Sequence, residues 1–179
     1  MRRRQFLSTL ASVGLAGAGI HADAQRSPDV IFVPTDYGTV MAMLKLAGVA
    51  RNDIVYDLGC GDGRFVVTAA RQFGARGVGI DIDPDRIKEA NELAQRTGAH
   101  DRVRFVQADL FEADISEATV VTLYLLTRLN LKLRPKLQAE LKPGTRIVSH
   151  AFDMGDWKPE KTDTVGSSNV YLWRVPPRG

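Results

Sequence analysis

The residues best suited to chemistry in this chain are three carboxylates and one glycine run. The run is Asp57-Leu58-Gly59-Cys60-Gly61-Asp62-Gly63-Arg64, placed after a short apolar stretch and before a helical pattern. In that setting backbone N–H groups and the positive end of a helix dipole face a ligand. Side chains at its glycines would keep the backbone away from that ligand. Asp81 closes the second strand-like stretch, where a carboxylate takes two hydrogen bonds from a ribose diol. Asp109 closes the third, placed to accept from an adenine amino group. Acids at the ends of consecutive strands meet at one sheet edge, and together they describe a nucleoside site.

The charges narrow the choice of nucleoside. A dinucleotide fingerprint asks for a third glycine where this chain has Arg64, which disfavours a nicotinamide-dependent oxidoreductase. Asp57, just ahead of the first glycine, would repel a pyrophosphate but suits a cationic amino-acid group. S-adenosylmethionine carries an α-ammonium, a sulfonium, a ribose diol and an adenine without phosphate, and it fits better. Cys60 has no histidine near it in sequence, so it reads as a small loop residue lending its backbone rather than as a nucleophile. His100 and His150 lack metal-ligand spacing with any acid or cysteine, and no metal is expected.

Alternating strands and helices must hold these groups. Val/Ile-rich runs at Ile54–Leu58, 77–82, Val103–Gln107, 120–125 and 146–152 read as buried parallel strands. Helical stripes lie at Val40, Met43, Leu44 and Ala47, at Phe65 and Ala69, at Ile87, Ala90 and Ala94, and at Leu129, Leu133, Leu137 and Leu141. Asp83 and Pro84 suit a capped first turn. Pro135 either starts a fresh helical segment or kinks a continuous one. Lys161–Val165 and 170–175 flank a turn at 166–169 and read as an antiparallel hairpin, with no helix between strands five and six. The expected fold is α/β: a doubly wound, mostly parallel, seven-stranded Rossmann-like sheet ending in that hairpin.

The chain has 179 residues, 24 basic and 21 acidic, for a net charge of +3. That excess sits largely at the start, in Arg2, Arg3 and Arg4, so it does not argue for nucleic acid as a partner. The bases Arg128, Lys132, Arg134, Lys136 and Lys142 near the last helix read as a solvated face. Residues 1–24 read as a signal peptide: a charged start, a mildly apolar stretch over 7–20, and the small-x-small triplet Ala22-Asp23-Ala24. Arg3-Arg4-Gln5-Phe6-Leu7 resembles the twin-arginine export signal, which implies export to a bacterial periplasm; the alternative is a cytoplasmic protein with an uncleaved leader. A single domain is expected over 25–179.

The glycine run, Gly79-Ile80-Asp81 and Ala108-Asp109-Leu110 resemble the first three cofactor motifs of class I S-adenosylmethionine-dependent methyltransferases. More narrowly, Val33-Pro34-Thr35, Ile147-Val148-Ser149, Phe152 and Trp157-Lys158-Pro159 resemble bacterial relatives of the mitochondrial-type protein-lysine methyltransferases, which modify inner-membrane proteins such as the c-ring protein of the ATP synthase and the adenine nucleotide translocator. The resemblance implies S-adenosylmethionine held by Thr35, Asp57, Gly59, Cys60, Gly61, Asp81, Ile82, Asp109 and Leu110. It implies a protein partner bearing an accessible lysine, membrane-associated as those targets are. Tyr124 is the expected catalytic residue, orienting an amine by hydroxyl or ring face, with mere packing as the alternative. Thr35 and Tyr37 either close over the methionine end of the cofactor, or Thr35 or Asp36 caps the first helix. Trp157 either walls the acceptor pocket or caps the core. The Asn/Asp-Pro-Pro-Tyr/Phe stretch of many amino-group methyltransferases is replaced here by Thr122-Leu123-Tyr124-Leu125-Leu126-Thr127, which leaves the nucleophile class open. The alternatives are a small-molecule methyltransferase and, given a leader that would carry the chain away from cytoplasmic cofactor, a non-catalytic exported binder of it.

Overall fold

The computed structural model describes residues 32–178, so the leader expected at 1–24 lies outside the described residues. The chain runs α1 (Tyr37–Leu46), β1 (Ile54–Leu58), α2 (Arg64–Phe73), β2 (Arg76–Asp81), α3 (Pro84–Thr97), β3 (Val103–Gln107) and β4 (Val120–Leu123). It continues through α4 (Thr127–Glu140), β5 (Arg146–His150), β6 (Lys161–Val165) and β7 (Ser168–Arg174). One seven-stranded sheet results, in the order β3-β2-β1-β4-β5-β7-β6. Strands β3 to β5 pair in parallel, and β7 pairs antiparallel with both β5 and β6. The α/β class, the terminal hairpin and the lack of a helix between β5 and β6 agree with the expectation. Strand order reverses between β1 and β4, which opens a crevice at the carboxyl ends of those strands.

The sheet is covered unequally. Helices α1 and α2 pack one face through Val40, Met43, Leu44, Phe65, Val66 and Ala69, with α3 adding Ala90 and Ala94 beside them. The other face is covered by α4 and by the crossover at 108–119, which forms no helix and buries Ile115. Leu129, Leu133, Leu137 and Leu141 recur every four residues and lie against Leu58, Val121, Leu123 and Ile147. Each such leucine contributes about 1.5–3 kcal/mol by leaving water. α4 runs unbroken through Pro135, so the single-helix reading is the observed one. The missing N–H would have met the carbonyl of Leu131, an exposed residue whose backbone water can reach.

Several strand boundaries shift: β2 starts and ends one residue earlier than expected, and β7 ends one residue earlier, at Arg174. β4 ends at Leu123 and β5 at His150, each two residues earlier than expected; past β4 the chain leaves the sheet at Tyr124 and Leu125, which line the crevice. After β5 the Phe152 amide donates to the His150 carbonyl at 2.7 Å. This tight turn is centred on Ala151 at φ 64, a strained value for a residue with a Cβ. The hairpin turn needs only Gly166 and Ser167, with φ 61 at Gly166, so β7 starts at Ser168.

Candidate active site

A cavity of about 530 Å³ opens at the crevice. Its walls come from the strap before α1 (Phe32, Val33, Pro34, Thr35), the glycine loop and the ends of β2 and β4. The crossover after β3 and the first turn of α4 complete it. Of the expected site residues, Thr35, Asp57, Gly59, Cys60, Asp81, Ile82, Asp109, Leu110 and Tyr124 line it. Gly61 does not: it lies beneath the Phe32 ring, where an added Cβ would fall 2.1 Å from a ring carbon. Its amide donates to Asp81 Oδ2 at 2.9 Å. Gly63 precedes α2 at φ 79, a left-handed value that lets the loop enter the helix with no side-chain cap.

The acids are held by different means. Asp57 is the fourth residue of β1 and is buried. Burial pushes its pKa up to about 8; the Thr122 hydroxyl, donating at 2.7 Å, opposes this, while Asp81 and Asp62 reinforce it. Asp81 ends β2 and accepts from the amides of Gly61 and, at 3.0 Å, Asp83. These bonds fix the carboxylate and leave lone pairs for a ligand. Asp109 lies two residues past β3 rather than at its end, and its Oδ1 accepts from the Phe111 amide at 2.9 Å. Cys60 is buried, and burial together with Asp57 and Asp81 pushes its thiol well up, so it stays protonated. Its amide donates to the Ile80 carbonyl at 2.9 Å, which suits a loop residue used for its backbone.

Arg64, which replaces the third glycine of a dinucleotide loop, ties the strap down. Its guanidinium pairs with Asp62, donates to the Thr35 carbonyl and stands 5.2 Å from the centroid of the Tyr37 ring. Tyr37 therefore lies outside the cavity and does not close over it. Asp36, rather than Thr35, caps α1, accepting from Thr39. Arg86 lies over the Phe32 ring at 4.9 Å, so a second cation holds the start of the strap.

Beside the cofactor groups stands an aromatic wall. The Tyr124 ring lies 4.1 Å from that of His150 and 6.0 Å from that of Phe152. His150 Nδ1 is 3.3 Å from the buried Thr35 hydroxyl. Burial lowers the pKa of His150, and Asp36 only partly opposes it, so the ring is neutral at pH 7. The amide nitrogen of Asn130, on α4, reaches Ser149 Oγ and the carbonyls of Phe152 and Asp153 at 3.2–3.3 Å, fixing the turn that presents Phe152. Trp157 is not part of this wall. Its carbonyl accepts from Trp173 Nε1 at 2.7 Å and the two rings pack at 6.3 Å, so it caps the core.

Sequence reasoning does not single out Phe32, Arg86 and Phe111 as site residues, and it weighs His150 only as a metal ligand. Nothing local marks them; packing brings Phe32, Arg86 and Phe111 to the cavity and sets His150 behind Tyr124 and Thr35, which line it. Among the described residues, no group of three or more His, Cys, Asp or Glu is arranged to hold a metal ion.

Residues 57–161 match the family model described as the ANTKMT methyltransferase domain. The chain belongs to the ANTKMT methyltransferase family. It is 48% identical over 153 residues, 83% of this chain and 95% of the relative, to a protein of Saccharolobus islandicus named protein-lysine N-methyltransferase. A second relative, from Xenopus laevis, is named as the lysine N-methyltransferase of the ATP synthase C subunit. It is 29% identical over 165 residues, 92% of this chain and 72% of the relative. A crystal structure of an RNA methyltransferase from Salinibacter ruber with S-adenosyl-L-homocysteine is similar at TM-score 0.81 and 57% identity. That likeness covers 82% of this chain and 95% of the other. The chain is thus an S-adenosylmethionine-dependent methyltransferase.

The cavity fits that cofactor on its own evidence. Asp57 is a buried carboxylate with no cation beside it among the described residues, which the methyltransferase cofactor's α-ammonium would supply. The glycine loop is packed so closely that a Cβ at Gly59 would fall 3.1 Å from Leu125, so backbone alone can face a ligand there.

Proposed function

We propose that this methyltransferase modifies the ε-amine of a lysine in a protein substrate. The observation that carries the reading is the Tyr124 ring, which lines the cavity and is backed by the rings of His150 and Phe152. Aromatic faces hold an ammonium or an alkylated amine by about 0.5–2 kcal/mol and demand no particular acid or base. The lysine-directed names of the relatives at 48% and 29% identity support the same substrate class.

In this reading Asp57 meets the cofactor's α-ammonium, Asp81 and Ile82 the ribose, and Asp109 and Leu110 the adenine. Gly59, Cys60 and Gly61 supply backbone, and Thr35 closes the methionine end. When bound, S-adenosylmethionine supplies an activated methyl group. Lysine must present a neutral amine, against an ordinary pKa of ~10.4. Leu125, Leu129 and the Tyr124 ring line an apolar approach that disfavours the charged form and excludes water. Positioning by Tyr124, itself seated on His150, does most of the remaining work.

Incubating the full chain with methyl-labelled cofactor and cell extract tests the proposal. Label recovered as methyl-lysine after protein hydrolysis is the expected result. A second reading, methylation of RNA, is favoured by the structure 57% identical to this chain, and label in RNA alone would establish it in place of the first. Label only on small metabolites would favour the small-molecule alternative, and cofactor binding with no transfer the non-catalytic one.

We also infer export, supported by the twin-arginine-like Arg3-Arg4-Gln5-Phe6-Leu7. The targets named for the relatives support a membrane-associated substrate. N-terminal sequencing of the periplasmic protein should begin at Gln25; an intact Met1 on a cytoplasmic protein supports the uncleaved alternative.

A further inference from the structure

Two destabilising features meet at one spot beside the cavity. Among the described residues, Ala151 alone combines a Cβ with a positive φ. Asn130, fully buried on α4, leaves its Oδ1 with no hydrogen-bond partner among them. Backbone strain and orphaned buried atoms persist where the surrounding structure holds them for a purpose, most often beside a functional site. Here the two are joined. The Asn130 amide nitrogen donates to the Phe152 carbonyl at 3.2 Å, and to the Asp153 carbonyl and Ser149 Oγ at 3.3 Å. The reverse placement of that amide would set its oxygen against two carbonyls, so the orphaned oxygen follows from the use of the donors. Ser149 Oγ also donates to the Phe152 carbonyl, at 2.7 Å, and the Ala151 amide donates to the Asn169 carbonyl of β7 at 2.8 Å.

The rings show what the strained turn achieves. His150 is the last residue of β5 and stays in register with Val170. An extended strand would carry Phe152 about 7 Å further along. The turn at Ala151 folds it back instead, so that one tyrosine ring, Tyr124, meets His150 at 4.1 Å and Phe152 at 6.0 Å. Asn130 directly follows Leu129, which lines the cavity, and its backbone N–H donates to the Leu126 carbonyl at 3.1 Å. It thus ties the first turn of α4, which Tyr124 and Leu125 lead into, to the turn after β5.

We propose that Asn130 is a positioning residue for methyl transfer: by holding the Ala151 turn it keeps Phe152 against Tyr124, the seat of the acceptor. This rests on the reading of Tyr124 given above, and it holds for a lysine or an RNA acceptor alike. A leucine at 130 has the shape of asparagine but removes the orphaned oxygen and both donors. The Phe152 carbonyl would keep Ser149, and Asp153 is exposed, so the exchange costs the fold little while the turn loses its clamp.

The test uses the full chain with ring-labelled tyrosine, S-adenosylmethionine with a labelled methyl group, and cell extract. Asn130→Leu should lower transfer about tenfold, the population shift that corresponds to about 1.4 kcal/mol of released strain. The Tyr124 ring resonances should move towards those of an unstacked tyrosine, with cofactor affinity by calorimetry and the unfolding midpoint little changed. Adding Ala151→Gly, which enters a positive φ without strain, should restore the ring resonances and most of the transfer. Unchanged transfer and unmoved resonances in Asn130→Leu overturn the proposal. So does a fall in transfer that tracks the unfolding midpoint and that Ala151→Gly leaves in place. If Asn130→Leu does not fold, Ser149→Ala removes one hydroxyl from the same carbonyl and should move the Tyr124 resonances the same way by less; no movement overturns the proposal. Label in RNA alone overturns the lysine reading and leaves this one standing, since ring resonances and transfer are read on either acceptor.

Discussion

The Thr122 hydroxyl donates to Asp57 Oδ1 at 2.7 Å, joining β4 to β1 where the strand order reverses. That bond places a buried carboxylate under the cavity and is the one hydrogen bond among the causes that shape its pKa.

Proton release should accompany cofactor binding. Asp57 titrates at about 8 in the ligand-free fold against about 4 in an unfolded chain. The folded protein therefore keeps a proton that the unfolded chain loses, and stability falls as pH rises from about 4 to about 8. An α-ammonium needs the carboxylate, so affinity should climb towards tenfold per pH unit up to about 8. Calorimetry in buffers of different ionisation enthalpy should register the released proton, and Asp57→Asn should abolish it. Affinity that is flat with pH and free of proton release would take Asp57 out of reach of the ammonium.

Asp81→Ala should weaken S-adenosylmethionine binding by about 1.5–3 kcal/mol, the usual loss for charge-assisted hydrogen bonds. Part of that loss comes from the Gly61 and Asp83 amides, which lose their acceptor. Titration calorimetry measures it, and unchanged affinity would remove Asp81 from the site.

The opposite end of the sheet should behave differently. Asp53 pairs with Arg146 and accepts from the Thr119 hydroxyl at 2.7 Å and the Ala50 amide at 2.8 Å. Burial works to raise its pKa, but bonds from Thr119, Ala50 and Arg146 win and lower it. Its contribution is present above the ordinary carboxylate range and is lost as pH falls through the lowered value. Asp53→Ala should cost about 2–4 kcal/mol in denaturant unfolding. Cofactor affinity of the folded fraction should not change, and a matching loss of affinity would contradict this division.

His150 variants should separate seating of Tyr124 from seating of Thr35. His150→Phe keeps a ring against Tyr124 but loses the polar contact with Thr35, so cofactor affinity should drop a few-fold with little change in acceptor KM. His150→Ala also removes the ring contact, which at about 0.5–1.5 kcal/mol should raise acceptor KM up to tenfold. The neutral ring is lost only as pH falls below the ordinary histidine value, so the native chain should show no histidine-dependent change above about pH 6.5. Equal effects of both variants on acceptor KM would remove the ring contact from the acceptor wall.

Most of the cofactor side is legible in the sequence because its signals are local. A glycine loop between a strand and a helix, and acids at successive strand ends, need only neighbouring residues to be recognised. The acceptor side needs distant ones. Tyr37 and Trp157 are open to either role in the sequence, and packing against Arg64 and Trp173 decides both. Phe32 reaches the glycine loop from a separate segment, and Phe111 sits in a crossover with no periodic pattern to announce it. The ends of β4 and β5 read too long because Tyr124-Leu125 and Ala151-Phe152 carry the apolar run past the point where the chain leaves the sheet.

The cavity draws its walls from residue 32 through residue 129, so no short segment of the chain holds it. Pairing β1 with β4 is a non-local contact, of the kind that forms late and slows folding. Cofactor can recognise only the closed sheet, and at a hundredfold excess over Kd it would add about 2.7 kcal/mol to the whole fold. Occupancy then reports completion of folding: hydrogen exchange should slow across every strand together, from the β3 edge to the β5 side, rather than at the cavity alone.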